Sequence, residues 1–129
     1  MSIEIQMLVW SMVLGLVHVF APSTLITRER GIGWNASARD QPMPPPSPLA
    51  GRLQRAQSNF METFPFFAAA VLAVVLTQRQ DGLTALAVQL YFWARLIYLP
   101  LYAAGVPYVR SLVWLVSLLG IVMLLWALL

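Results

Sequence analysis

The sequence predicts an all-α membrane protein, an antiparallel bundle of four transmembrane helices, on three observations. Of its 129 residues, 60% are hydrophobic and only 10% charged, against about 25% charged in an ordinary soluble domain. Mean hydropathy is +0.74 over the whole length, more apolar surface than a globule this small could bury, because small domains bury the smallest share of theirs. The apolar residues also fall into four long stretches separated by polar segments. The same composition excludes a disordered chain.

Residues 5–26 lack any charge and are long enough to cross the roughly 30 Å of hydrocarbon in a bilayer. The preceding residues carry Glu4 and no basic group, unlike a secretory signal peptide, so a retained first helix is expected. Residues 27–50 form a polar, proline-rich loop holding Arg28, Glu29, Arg30, Arg39 and Asp40. Pro42, Pro44, Pro45, Pro46 and Pro48 follow closely, a run that favours stiff polyproline geometry over helix. The second helix is expected over 51–78, with polar first turns, and Pro65 should bend it without ending it. A short turn, Gln78-Arg79-Gln80-Asp81-Gly82, leads to a third helix over 83–104. Gly105-Val106-Pro107 then precedes a fourth over 108–129. Short connections make neighbouring helices antiparallel, so the whole chain, 1–129, reads as one domain.

Net charge is +3, and all the basic residues are arginine. In a membrane chain this excess reports topology rather than nucleic-acid binding. Arg28, Arg30, Arg39, Arg52 and Arg55 cluster at the first loop and Arg110 at the third, while the second loop has only Arg79. The bias of basic loops towards the cytoplasm places loops one and three inside and both termini outside. Any chemistry should then face the cytoplasm. The chain has no cysteine, which removes disulfides, thiolate metal sites and cysteine nucleophiles. No GxSxG, HExxH or P-loop pattern occurs, and no metal is expected.

An ionisable group inside a membrane span costs at least about 2.5–3.5 kcal/mol and asks for a reason. On the second helix Arg55, Asn59 and Glu62 are spaced four and three apart, on one face. On the third, Tyr91, Arg95, Tyr98 and Tyr102 repeat the pattern. Facing each other, the two stripes would line a pocket for a small zwitterionic or anionic molecule. Alternatively Glu62 and Arg95 pair simply to hold two helices together. His18, alone in the first helix, reads as a packing residue hydrogen-bonded across helices.

The segment Arg52-x-x-Arg55-Ala56-Gln57-x-Asn59-x-x-Glu62-x-Phe64-Pro65-x-Phe67 resembles the signature of the MAPEG family, membrane-associated proteins in eicosanoid and glutathione metabolism. Ala94-Arg95-Leu96-x-Tyr98-x-x-x-Tyr102, followed by Arg110, resembles the family's second block. The resemblance covers essentially the whole chain and implies a bacterial, microsomal-glutathione-transferase-like member in the inner membrane. It further implies a homotrimer that binds glutathione as co-substrate between adjacent subunits. By that likeness Arg55, Asn59 and Glu62 would hold the γ-glutamyl end with Tyr98 beside them, and Gln57 would reach the glycyl carboxylate. Tyr102 would pack on the peptide and Arg110 would stabilise the thiolate. Arg28 or Arg30 resembles the basic pair that closes the site from helix one, although Glu29 splits that pair here.

The expected function is therefore a membrane-bound, glutathione-dependent transferase or peroxidase. Its second substrate would be a lipophilic electrophile or lipid hydroperoxide arriving from the membrane lipid. A non-catalytic lipid-binding or scaffold protein on the same fold is the main rival. A small four-helix transporter fits less well, because the first span has no acidic residue beyond Glu4.

Overall fold

The computed structural model describes residues 1–129 and contains no strand. Four helices are long and apolar enough to cross a membrane: α1 (Ile3–Arg30), α3 (Pro48–Leu76), α4 (Gly82–Ala103) and α5 (Val109–Leu128). A short helix, α2 (Ile32–Ala36), sits between the first two.

Local chemistry sets where each helix starts and stops. The Ser2 side chain accepts the Ile5 N–H at the start of α1, occupying one of the donors that a helix N-terminus leaves free. Gly31, at φ 92°, ends the helix while its N–H reaches the Thr27 carbonyl, in a backbone region that glycine enters without strain. Arg28 and Arg30 lie in the last turn, where the helix dipole favours cations. The first span therefore continues to Arg30, past the expected end at 26: leaving hydrocarbon does not by itself end a helix. The expected loop over 27–50 shrinks accordingly and contains α2.

The next span starts at Pro48, three residues before the expected start. Proline at the first helical position loses no hydrogen bond, and Ser47 caps the helix by accepting the Ala50 N–H. Ser47 also donates from both its backbone N–H and its hydroxyl to the Glu29 carboxylate, at 2.9 and 2.6 Å. The end of α1 and the start of α3 are thus clamped together. At its far end α3 stops at Leu76 rather than 78, because Gln78 turns to φ 56°. Pro22, Pro65 and Pro100 all lie inside helices without interrupting them.

A reciprocal cap starts α4: the Asp81 carboxylate accepts the Thr84 N–H, and the Thr84 hydroxyl accepts the Asp81 N–H. That hydroxyl in turn donates to the buried Glu4 carboxylate at 2.8 Å, tying the start of α1 to the start of α4. On the same end Arg79 donates to the Leu128 carbonyl of α5. At the opposite end Arg52 Nε donates to the Ala103 carbonyl at 2.8 Å, joining the start of α3 to the end of α4. These ties establish the antiparallel arrangement. One end of the bundle carries the end of α1, α2, the proline-rich segment, the start of α3 and the α4–α5 turn.

Within the bundle α3 and α4 each touch all three other long helices, whereas α1 and α5 lie on opposite flanks and do not meet. The core is aromatic at its centre. Phe67 stacks on Tyr91 with centroids 3.9 Å apart, and Phe60 stacks on His18 at 4.5 Å. The Tyr91 hydroxyl is satisfied by Thr63 at 3.1 Å. Large apolar side chains stay exposed along the outer faces, including Trp10, Leu16 and Phe20 on α1 and Leu112, Leu119 and Trp126 on α5. Continuous apolar faces of this kind are suited to lipid or to another membrane helix, not to water.

Gly120 fixes how closely α5 approaches α4. A Cβ there would lie 2.6 Å from the Ala87 carbonyl oxygen and 3.1 Å from the Tyr91 nitrogen, both backbone atoms that cannot swing aside. Gly120→Val should therefore push the helices apart at a cost of about 1–3 kcal/mol or more, read as a lower thermal midpoint of the detergent-solubilised protein. Gly33→Ala, at a position with nothing within 4 Å, should leave the midpoint essentially unchanged.

Candidate functional site

The two polar stripes of the sequence meet, but through a different pair of residues than the simplest reading expects. Arg95 is completely buried on α4, and its Nη1 donates to the Asn59 amide oxygen on α3 at 2.8 Å. The partner is Asn59, not Glu62. The reason is helical phase: Asn59 is half-buried towards α4, while Glu62, three residues on, is exposed on the outer side. The guanidinium also lies over the Tyr98 ring at 4.6 Å and the Phe60 ring at 5.4 Å. Such cation–π contacts gain strength where water is excluded.

From Arg95 the contacts continue to the end of the bundle. Tyr98 meets Tyr102 edge to face at 5.6 Å, and Arg110, in the first turn of α5, stacks over Tyr102 at 4.6 Å. Asn59, Arg95, Tyr98, Tyr102 and Arg110 thus form one connected series across α3, α4 and α5. Tyr98 is buried, and Tyr102 and Arg110 are partly exposed, so the series opens outwards at the Arg110 end. Tyr91, the remaining tyrosine of the stripe, faces the core instead, between Phe60 and Phe67.

The remaining expected residues separate into different places. Arg55 and Glu62 are exposed on α3 beside the Asn59 face, with the Glu62 charge still near enough to act on Arg95. Gln57 lies on another side of α3, where with Gln54 it lines a polar cleft against the end of α1 and α2. That cleft, of about 260 Å³, also takes in Arg30, Trp34, Asn35 and Arg39. Arg30 donates to the Pro44 carbonyl at 2.8 Å. Arg28, two residues earlier, points away and caps a mostly apolar groove along the outer face of α1, lined by Leu16, Val17 and Phe20. Helical geometry separates residues two apart to opposite sides, so Arg28 and Arg30 do not act on one ligand within a single chain.

Sequence reasoning passed over several residues that organise this end. Arg52, noted only in the motif and in the count of basic residues, holds the end of α4. Phe60 connects His18 to Arg95 through its ring. His18 donates from Nδ1 to the Leu14 carbonyl at 2.9 Å within α1, so its hydrogen bond is local rather than across helices. Trp34 and Arg39 had no periodic pattern that could single them out.

The fold and the side chains can be set beside known proteins. The MAPEG family model matches residues 7–129; no individual curated protein and no solved structure matches significantly. The match takes in nearly all of the chain, including all four spans and both polar stripes, which makes this an integral membrane protein of all-helical architecture. The chain belongs to the MAPEG family.

Proposed function

We propose that the protein is a glutathione-dependent transferase or peroxidase that acts on lipophilic electrophiles or lipid hydroperoxides. The observation that carries this reading is the connected series from Asn59 through Arg95, Tyr98 and Tyr102 to Arg110, adjoining the uncovered Arg55 and Glu62. An amide, a carboxylate, guanidinium groups and phenols suit a peptide with an amino-acid head at one end and a thiol along its length. Glu62 would take the ammonium of the γ-glutamyl end and Arg55 its carboxylate. Asn59, held in place by Arg95, would add a directional hydrogen bond, and Tyr98 and Tyr102 would pack along the backbone.

Gln57 and Arg30 lie on another side of α3, so they suit a ligand held on an adjacent copy of the chain. That division supports the homotrimer expected from the family resemblance. An exposed carboxylate such as Glu62, well inside a spanning helix, also favours cover by a ligand or a second copy. The apolar faces of α1 and α5 would admit the second substrate sideways from the bilayer.

In this reading Arg110 sets the reactivity of the thiol. A thiol with a pKa of about 8.5 is only a few per cent thiolate at pH 7, and the thiolate is the nucleophile. Lowering the pKa by about two units needs about 2.7 kcal/mol of preferential stabilisation of the anion. A guanidinium that cannot lose its own proton supplies this in a site of reduced dielectric, and the first turn of α5 adds partial positive charge. The thiolate sulfur would attack the electrophilic carbon, expelling its leaving group. With a hydroperoxide it would attack the outer oxygen, and a second thiol would complete the reduction to alcohol, water and disulfide.

Arg28, Arg30, Arg39, Arg52, Arg55 and Arg110 share one end of the bundle, and Arg79 sits at the other. We take the arginine-rich end as cytoplasmic, in the inner membrane of a bacterium, with both termini outside. Reporter fusions near Met43 and after Leu129 should report opposite compartments; the same compartment for both would defeat the assignment.

Glutathione at 100 times its dissociation constant should stabilise the detergent-purified protein by about 2.7 kcal/mol, seen as a raised thermal midpoint. Glu62→Gln and Arg55→Ala should each shrink that response. A wild type indifferent to millimolar glutathione would remove the glutathione assignment. Arg110→Ala should keep glutathione binding within a few-fold, yet turn over more slowly and shift its pH–rate profile upward. Wild-type activity of Arg110→Ala at pH 6.5 would instead leave Arg110 as a helix-end anchor.

A further inference from the structure

The cleft between the end of α1, α2 and the start of α3 contains, beside the Arg30 and Gln57 already assigned to glutathione, a built corner around Arg39 that the proposed thiol chemistry does not use. Trp34 lies between two guanidinium groups, with Arg30 at 4.7 Å and Arg39 at 4.9 Å from its ring centroid. Both arginines are pinned rather than free. Arg30 is held by the Pro44 carbonyl. Arg39 donates to the Asn35 carbonyl from Nε and Nη2, at 3.2 and 3.1 Å, and to the Asn35 side-chain oxygen as well. These hydrogen-bond partners are neutral oxygens; Arg30 also lies within the field of the adjacent Glu29 carboxylate, which leaves Arg39 as the less compensated of the two cations.

A tight local turn sustains the arrangement. The Ser37 hydroxyl donates to the Trp34 carbonyl and accepts the Arg39 N–H. Arg39 itself is at φ 60°, a conformation that costs a non-glycine residue energy. The cleft is graded. Val19, Pro22 and Ile26 form its membrane-side floor, Ser23, Thr27, Asn35, Gln54 and Gln57 its polar walls, and the two arginines its rim. No carboxylate lines it: Glu29, next to Arg30, is turned to Ser47, and Asp40, next to Arg39, lines the adjoining hollow on the other side of Arg39. Its volume of about 260 Å³ is far above the roughly 30 Å³ of a single water.

Preorganised guanidinium groups with amide donors beside them match a phosphate, and an apolar floor at the membrane end matches the start of an acyl chain. We propose that this cleft binds the phosphate headgroup of an anionic membrane lipid, with Arg39 as its principal contact and Asn35 and Gln54 supporting it. The site would anchor α2 at the bilayer surface and order the segment between α1 and α3. The inference leans on Arg39, Asn35 and Gln54, which have no part in the proposed glutathione contacts.

The test uses full-length protein purified in neutral detergent and the thermal midpoint as readout. Phosphatidylglycerol in the micelles should raise the midpoint, and phosphatidylcholine with the same acyl chains should not. Arg39→Gln should weaken the apparent affinity for phosphatidylglycerol about tenfold or more, the effect of one lost charge-assisted hydrogen bond. Arg79→Gln, at the other end of the bundle, should respond like wild type. A normal glutathione response in Arg39→Gln would confirm that the variant is folded. Equal responses of Arg39→Gln and wild type, or of the two lipids, would overturn the proposal. Inorganic phosphate alone matching phosphatidylglycerol would equally overturn the lipid source. A wild type that responds to phosphatidylglycerol but not to glutathione would leave this site standing and remove the thiol chemistry.

Discussion

A guanidinium with no access to solvent, in the middle of a bundle that spans a membrane, is the constraint around which this molecule is arranged. Arg95 is held by one hydrogen bond to Asn59 and by the faces of Phe60 and Tyr98. Leaving such a charge without partners would cost several kcal/mol, so α3 and α4 are committed to one register. Phe60 then has two roles, since the ring that faces Arg95 also stacks on His18 of α1. Three helices are therefore fixed relative to each other by a polar group that an apolar core would not have needed.

The second level of order is at the helix ends. Glu29 with Ser47, Arg52 with Ala103, Glu4 with Thr84 and Arg79 with Leu128 each join two helices through groups that hydrogen-bond the backbone or a capping side chain. Within hydrocarbon, lipid competes with side chains for apolar contact, so there is little hydrophobic force to choose between neighbours. Polar ties at the ends and close backbone approach, as at Gly120, do that work instead. The apolar surfaces of α1 and α5 can then be left open to the bilayer.

The spans were legible in the sequence because an apolar run of membrane length has few other uses, and their order along the chain followed from the short turns. Their ends were less legible: Arg28 and Arg30 looked like loop residues because charge marks the membrane boundary, not the helix boundary. Pro48 looked like a breaker until its position at the start of α3 made it a helix initiator. The stripe from Arg95 to Tyr102 followed from spacing alone, since residues three and four apart must share a face. Which residue of the facing stripe would meet Arg95 depended on the rotation of α3 about its axis, which spacing along one helix does not contain. The Trp34–Arg39 turn had no period at all and became visible only once its residues were close in space.

That rotation of α3 has a further consequence. Asn59 turns inward to α4, Gln57 faces α1 and α2, and Arg55 and Glu62 lie on the exposed edge of the Asn59 face. One helix thus presents polar residues to two sides, with one face grading from half-buried Asn59 to exposed Arg55 and Glu62. A soluble protein could leave the outward group to water. Glu62, part-way along a spanning helix, is exposed yet near enough for its charge to act on Arg95. The inward contact to Arg95 keeps α3 from rotating to bury the carboxylate, because any such rotation would break the Asn59 hydrogen bond and strand the guanidinium. The internal hydrogen bond to Arg95 is therefore what leaves Arg55 and Glu62 on the exposed face of α3.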